Sequence, residues 1–141
     1  MKTSLSRKDN HRKSLIRNLA TSLILYEEIR TTLPKAKEVK SQVEHLLADA
    51  QKNNLASYRK LLSFLYDSKA VLKISEVLIP RYKDQKTGYI QIFRIKPRLG
   101  DSAPMAILKL ISDKEKILDE NLIKDKNAAK YEKNTDKPKA K

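Results

Sequence analysis

The sequence has no cysteine and only two glycines among its 141 residues. Without cysteine the chain can form neither disulfides nor thiolate metal sites, and it has no cysteine nucleophile. Two glycines are too few for the glycine-rich loops that bind phosphate groups, and no nucleophile-elbow pattern surrounds any serine. These absences argue against the common motifs of nucleotide binding and covalent catalysis.

Long apolar runs and clusters of catalytic side chains are missing as well. No stretch approaches the roughly 20 apolar residues of a membrane-spanning helix, and the N-terminus lacks an apolar signal region. His11 and His45 are the only histidines and fall in different predicted helices. Glu27 and Glu28 should point to opposite faces of a strand, which is poor geometry for acid and base catalysis. The sequence therefore predicts a cytoplasmic protein that is not an enzyme and has neither cofactor nor metal.

Positive charge is what the sequence has in excess. Lysine and arginine number 31 against 17 acidic residues, so the formal net charge is +14. Residues 1–26 and 80–112 carry +5 each, whereas residues 27–79 and 113–141 carry +2 each. Such a charge repels itself unless an anion screens it, so the expected partner is a polyanion. If the fold brings the two basic blocks together, they form one basic face.

The stretch HRKSLIRNLATSLI, residues 11–24, predicts a first helix with Asp9 or Asn10 as its N-cap. One side of this helix is apolar, and the other is basic with no carboxylate between Asn10 and Tyr26. Solvated helix faces usually carry both signs of charge, so this face favours polyanion binding over mere exposure to solvent. Its candidate contact residues are Arg7, Lys8, His11, Arg12, Lys13, Arg17, Asn18 and Thr21.

A second basic segment, PRYKDQKTGYIQIFRIKPR, interleaves cations with aromatic rings. Rings can stack on unpaired bases, and arginine can pair with phosphate through two hydrogen bonds. A mobile hairpin loop with scattered lysines is the alternative interpretation, and Phe93 is expected to belong to the core. The candidate contact residues of this segment are Arg81, Tyr82, Lys83, Lys86, Tyr89, Arg94, Lys96 and Arg98.

Hydrophobic periodicity predicts the order helix, strand, three helices and two strands. The segment EEIRTTLPKAKEVK indicates a short strand that leads into a helix at Pro34. Two more helices follow, the last one capped by Asp67 or Ser68 and stopped by Pro80. The runs YIQIFRIKP and MAILKLI are rich in strand-forming residues. The predicted fold is a two-layer α/β domain of the α+β type, with a small three-stranded mixed sheet packed on helices.

The composition changes after residue 112. Residues 113–141 hold nine lysines and seven acidic residues, and few apolar side chains follow Ile123. Such a segment buries too little surface to offset the entropy of ordering, although an exposed helix over residues 114–130 fits the pattern. We therefore expect one folded domain over residues 1–112 and a flexible or helical, lysine-rich extension over residues 113–141.

These segments resemble the family of bacterial large-ribosomal-subunit protein seventeen. HRKSLIRNLATSLI looks like the basic first helix of that family, and IRTTLPKAKE looks like its strand-to-helix signature. IPRY, TGYIQ and GDSAPMAI are similar to further family motifs, and the resemblance runs in order from about Leu5 to Ile111. Through the signature, the resemblance adds four candidate contact residues: Thr31, Thr32, Lys35 and Lys37.

The resemblance implies a structural constituent of the large ribosomal subunit. Such a protein would bind large-subunit ribosomal RNA near the rim of the peptide exit tunnel and stabilise the fold of that RNA. Its other partners would be neighbouring large-subunit proteins, with no small-molecule substrate and no membrane. Members of the family usually begin with a longer basic arm, and this chain has MKTSLSRK in its place.

Two other kinds of binding protein are compatible with the charge. A DNA-binding or nucleoid-associated protein is one alternative, although Arg17 and Asn18 lie on a half-buried helix that is poorly suited to reading a major groove. A membrane-surface protein is the other, but the first helix lacks the Trp or Phe typical of an interfacial helix. The sequence favours RNA over both.

Overall fold

The computed structural model describes residues 4–111 of the chain. Its elements follow the order predicted from periodicity. The lysine-rich extension predicted over residues 113–141 lies outside the described residues. The elements are α1 (Asp9–Tyr26), β1 (Glu28–Thr32), α2 (Leu33–Ala50), α3 (Leu55–Phe64), α4 (Ser68–Lys73), a π-helical segment (Ile74–Leu78), α5 (Ile79–Arg81), β2 (Ile90–Ile95) and β3 (Met105–Leu110).

The three strands form one sheet with β3 in the centre, in the order β1-β3-β2. Both pairings are antiparallel. The predicted two-layer α+β fold is confirmed, but the prediction of a mixed sheet is wrong. The reason is that β1 and β2 run in the same direction and are separated by β3, so the two parallel strands never pair.

The sheet presents one face to the helices, and none of the helices within residues 4–111 packs on the other face. Side chains alternate along a strand, and Ala106, Leu108 and Leu110 of β3 are buried on the helix side. Phe93 of β2 belongs to the opposite set and is 47% exposed, so its expected place in the core is wrong. We define the open face by residues 28, 30 and 32 of β1, residues 91, 93 and 95 of β2, and residues 105, 107 and 109 of β3.

The chain reverses between α1 and β1 at Glu27, which has a left-handed backbone with a φ of 64°. Its N–H donates to the Leu23 carbonyl, and its carbonyl accepts from the Leu110 N–H of β3, both at 2.8 Å. Its carboxylate oxygens lie 2.8 Å from Arg81 Nη1 and 2.8 Å from Lys73 Nζ. Glu27 thus connects α1 to the central strand and to α4 and α5.

The helix caps agree with the sequence in one case and differ in another. Asp67 Oδ1 accepts from the Lys69 N–H at 2.8 Å at the start of α4, as predicted. At α1 the predicted cap is wrong, because Lys8 occupies the N-cap position and makes no side-chain cap hydrogen bond. Asp9 is the first helical residue, and its carboxylate there suits the positive end of the helix dipole.

Pro80 was predicted to stop the last helix, but it lies inside α5. Proline has no N–H, so the usual hydrogen bond to the carbonyl four residues back cannot form at this position. The preceding segment Ile74–Leu78 is π-helical, and the Ile79 N–H bonds to the Ile74 carbonyl five residues back. The wider π-helical turn allows the chain to stay helical past Pro80 as far as Arg81.

The core lies between the helices and the covered face of the sheet. Leu23 of α1 and Val43 of α2 are fully buried there. Tyr82 and Tyr89 also belong to the core, with ring centroids 5.2 Å apart and ring planes tilted by 50°. In the described part of the chain, none of the helices has the length and apolar composition that crossing a membrane requires.

Replacing Leu23 with alanine should destabilise the fold, because its side chain is fully buried. Leucine-to-alanine changes in protein cores cost about 2–5 kcal/mol. We expect a decrease of this size in the free energy of unfolding, measured by urea titration with circular dichroism. The control is Asn18→Ala on the exposed side of α1, which should stay within about 0.5 kcal/mol of the unmodified protein. Equal effects of both changes would contradict the described packing of α1.

The Glu27 carboxylate should make stability sensitive to acid. Hydrogen bonds from Arg81 and Lys73 hold its pKa below the ordinary value of 4.5, and the Arg81 bond has the larger effect. A carboxylate whose pKa is lowered by folding stabilises the fold at neutral pH, and this contribution is lost as the pH falls through the lowered value. At neutral pH, Glu27→Gln should therefore reduce the free energy of unfolding by about 1.5–3 kcal/mol.

The pH dependence of this difference is the test. Urea unfolding in a series of buffers should show the two free energies converging as the pH falls from 4.5 through the lowered pKa, because the carboxylate becomes protonated first in the unfolded state and then in the native state. Asp101→Asn is the control, because the exposed Arg98 lowers the pKa of Asp101 to about 2 but such exposed pairs contribute little stability. A gap for Glu27→Gln that does not change with pH would contradict the role of the charge.

Candidate nucleic-acid interface

The first half of α1 carries cations near the place where α1 meets α2. Arg12 turns toward α2, with its Nη1 3.3 Å from Glu38 Oε1 and its side chain only 13% exposed. This ion pair holds α1 against α2. The exposed cations on either side of Arg12 are Arg7, Lys8 and Lys13, and the exposed His11 imidazole lies among them.

Arg17 is held by the turn between α3 and α4. Its guanidinium donates to the Ser63 carbonyl and lies 5.5 Å from the ring centroid of Phe64 and 5.4 Å from that of Tyr66. Hydrogen bonds with Ser14 and, to a smaller degree, Arg17 lower the pKa of the Tyr66 phenol. Arg17 therefore stabilises the packing of α1 on its neighbours through cation–π contacts in addition to carrying charge.

A groove of about 350 Å³ lies between α1, α2 and the end of α3. The guanidinium groups that line it already contact protein, since Arg12 binds Glu38 and Arg17 binds Ser63. Lys13 lines the same groove, and among the described residues it has no ion-pair partner. The ammonium group of Lys13 is therefore available to an anion from outside.

A second set of cations lies where β1 ends and α2 begins. The Leu33 N–H donates to the Pro104 carbonyl at 2.9 Å, which attaches the β2–β3 loop to the first turn of α2. Lys35 and Lys37 belong to the same part of α2. A second groove, of about 640 Å³, is lined there by Arg30, Lys96, Pro97, Arg98 and Leu99.

The two sets of cations share one end of α2. Glu38, which binds Arg12 of α1, follows Lys35 by about one helical turn. The start of α2 therefore lies next to the basic half of α1 on one side and next to the β2–β3 loop on the other. We call this arrangement the basic end; it combines the exposed cations of the first half of α1 with Lys35 and Lys37 of α2, Arg30 of β1 and Lys96 of the β2–β3 loop.

Lys83 and Lys86 belong to a loop at the other end of α2. Gln51, which follows α2, donates from Nε2 to the carbonyls of Tyr82 and Gln85 at 2.8 Å each. The helix between Glu38 and Gln51 is roughly 20 Å long at 1.5 Å per residue. The two basic blocks of the sequence therefore do not come together as a single basic face, because part of the second block lies far from the basic half of α1.

Several predicted contact residues are removed from the surface. Tyr82 and Tyr89 are 1% and 0% exposed, so neither ring can stack on a base, and that prediction is wrong. Burial also raises the pKa of the Tyr89 phenol. Thr21 and Thr31 are buried as well, and Thr21 Oγ1 donates to the Arg17 carbonyl at 2.9 Å. All four face the core, which is why they are not available as contacts.

Besides Arg12, two of the predicted arginines make ion pairs within the described part of the protein. Arg81 binds Glu27 through both of its terminal nitrogens, at 2.8 and 3.4 Å. Arg98 Nε lies 3.0 Å from Asp101 Oδ1, although this pair is exposed. The other predicted contact residues stay at least partly accessible: Arg7, Lys8, His11, Arg12, Lys13, Arg17, Asn18, Thr32, Lys35, Lys37, Lys83, Lys86, Arg94 and Lys96.

Arg30 and Phe93 are surface residues that the sequence analysis did not select. Both lie on the open face, where each is paired with Ile107 from opposite sides of β3. Alternation along the strands could have identified them, since Arg30 is in phase with the polar Thr32 and Phe93 is in phase with the polar Gln91. Because phenylalanine is strongly apolar, Phe93 was nevertheless assigned to the core.

The chemistry of the basic end is that of an anion-binding surface. Lysine and arginine side chains can neutralise phosphate groups and release the counterions bound to them. Within residues 4–111 no three histidine, aspartate or glutamate side chains are close enough together to hold a metal ion. The accessible groups at this end of the domain therefore suit binding to a polyanion.

Comparison with known proteins gives consistent matches. Residues 15–111 match the family described as Ribosomal protein L17. A protein of Endomicrobium trichonymphae named large ribosomal subunit protein bL17 is 48% identical over 103 residues, which are 73% of this chain and 88% of that protein. Proteins of the same name are 45% identical over 102 residues in Rickettsia bellii (72% of each chain) and 43% identical over 107 residues in Roseobacter denitrificans (76% of each chain).

The matched region contains most of α1 and every later element of the described structure. It therefore includes the start of α2, the β2–β3 loop and the open face of the sheet. The matching family consists of ribosomal proteins and not of enzymes. Because the family match covers more than half of the chain and the relatives exceed 40% identity, this chain belongs to the ribosomal protein L17 family.

Proposed function

We propose that this protein is a structural constituent of the large ribosomal subunit that binds the ribosomal RNA of that subunit and stabilises its fold. The observation that carries the proposal is the basic end, where exposed cations from α1, α2 and the β2–β3 loop surround the start of α2. The relatives are named as large-subunit proteins, which supports the same assignment. A ribosomal and hence cytoplasmic location follows from the proposal.

Two finer parts of the proposal rest on the family resemblance. One is a position near the rim of the peptide exit tunnel, and the other is contact with neighbouring large-subunit proteins. The RNA-binding unit in this proposal is residues 1–112, because the excess of positive charge lies within that range. Residues 113–141 are nearly balanced in charge and are assigned no RNA contact of their own.

The fold would act as a rigid support for the phosphate contacts. Ion pairs such as Arg12 with Glu38 fix the relative positions of the helices, so the exposed lysines project from a preformed surface. Each lysine that neutralises a phosphate releases a counterion, and the gain in entropy favours binding. A DNA-binding role fits less well, because α1 is half-buried along its length and would not enter a major groove.

Cosedimentation tests the proposed function directly. The full-length protein carrying an affinity tag, expressed in a bacterium, should migrate with the large ribosomal subunit in a sucrose gradient. It should stay with that fraction after a salt wash that removes loosely bound proteins. Recovery with the nucleoid, or only at the top of the gradient, would contradict the proposal.

Removing two charges from the basic end should weaken RNA binding without unfolding the protein. Lys13→Gln combined with Lys37→Gln changes two exposed side chains that have no ion-pair partner among the described residues. The slope of log affinity against log salt should become shallower by about one to two, because each lost phosphate contact removes roughly one counterion. Filter binding to protein-free large-subunit RNA measures this slope.

A matched pair of changes serves as the control for charge alone. Arg59→Gln with Lys69→Gln also removes two exposed positive charges, but from α3 and α4, which are not among the elements that form the basic end. This variant should keep most of the salt dependence, and both variants should melt like the unmodified protein. If the Lys13 and Lys37 variant keeps the full slope, these lysines are merely solvated and the proposed interface is incorrect.

A further inference from the structure

The open face of the sheet exposes an aromatic ring in an otherwise aliphatic patch. Phe93 is 47% exposed, and Ile95, Met105 and Ile107 around it are only half-buried. The large apolar side chains on the helix side of the sheet are better covered: Ile90, Leu108 and Leu110 are buried, and Ile29 and Ile92 pack against the core. Leaving an aromatic ring half in water gives up part of the free energy that its burial would contribute, so a partner that covers the ring would recover it.

Cations border this patch at the end where α2 begins. Arg30 and Phe93 flank Ile107 on the two outer strands, which places them about 10 Å apart at 4.8 Å per strand. Arg30 and Lys96 also line the groove of about 640 Å³ that adjoins the open face. Neither has an ion-pair partner among the described residues, whereas Arg98 in the same groove binds Asp101.

The carboxylates near the patch do not cancel this charge. Glu28 lies on the open face but is paired in register with Lys109 at the far end of β1 from the groove. Asp101 is engaged with Arg98. Among the described carboxylates, neither of these two offsets the charges of Arg30 and Lys96 beside the exposed ring.

A partner for this surface must offer a flat apolar group and a negative charge within reach of each other. An unpaired nucleotide has both, since its base can stack on an aromatic ring while a phosphate pairs with arginine or lysine. A neighbouring protein could cover the aliphatic side chains, but it would also have to supply acidic groups at the groove. The combination of one exposed ring with unpaired cations favours the nucleotide.

We propose that the open face is a second RNA contact, in which Phe93 stacks on an unpaired base of large-subunit RNA while Arg30 and Lys96 bind the adjacent phosphates. This inference rests on the proposed function and adds to it a single-stranded element as the ligand. In this proposal the ring that stacks on a base is Phe93, and not Tyr82 or Tyr89 as the sequence suggested. The phosphates bound by Lys13 and Lys37 at the start of α2 belong to a separate contact.

The test uses the absence of tryptophan from the chain. Phe93→Trp places a single indole on the open face, and stacking of a base on that indole quenches its fluorescence. Titration of the full-length variant with protein-free large-subunit RNA should quench the emission in parallel with binding measured by filter retention. Tyr58→Trp, at an exposed aromatic position of α3, is the matched control and should keep its emission.

Affinity provides a second readout. Phe93→Ala should weaken RNA binding by about five- to a hundredfold, as loss of one base–aromatic stack does, while Phe93→Tyr should restore it. Binding at full affinity by Phe93→Ala, or saturation of Phe93→Trp with RNA without quenching, would overturn the proposal. A spectral change that occurs only when large-subunit proteins are added would also overturn it and would assign the face to a protein partner.

A failure of the stacking proposal can be distinguished from a failure of the proposed function. If the unmodified protein fails to bind large-subunit RNA at all, the proposed function fails. If it binds with the expected salt dependence but the Phe93 variants behave like the Tyr58 control, only the stacking contact is wrong.

Discussion

The arrangement of the domain depends on the charged contacts of Glu27. Its left-handed backbone reverses the chain, its carbonyl accepts a hydrogen bond from the central strand, and its carboxylate binds Arg81 and Lys73 from the helical segment further along the chain. In a protein with a net charge of +14, a single carboxylate shared by two cations also relieves repulsion where the elements meet. Glu27 therefore ties the central strand to two helical elements, beside the apolar core that joins the sheet and the helix layer.

The basic residues divide into those that build the fold and those that remain available. Arg12, Arg17 and Arg81 each contact another element, and their planar, multiply donating groups suit such fixed geometry. Lysines such as Lys13 and Lys37 stay exposed, and their flexible side chains can adapt to phosphates of varied position. A positively charged protein can in this way be rigid and still leave a surface for a polyanion.

Much of the fold and part of the site could be predicted from local patterns. The period of apolar residues identified every strand and the main helices, and a run of cations without carboxylates marked the exposed half of α1. The wrong predictions about aromatic residues share a cause, namely that residue type was used where position decides. Tyr82 and Tyr89 have polar tips and were assigned to the surface, whereas apolar Phe93 was assigned to the core, and the structure reverses both.

The sequence by itself determined the class of the fold, the excess of positive charge and the family, because these follow from composition, periodicity and motif order along the chain. Only the tertiary structure decided which cations lie together. It joined Arg12 to α2 and brought Lys96 beside Arg30, yet it placed Lys83 at the opposite end of α2. The physical reason is that the strand order and the attachment of the Lys83 loop to Gln51 set these positions, and both are contacts between residues remote in sequence.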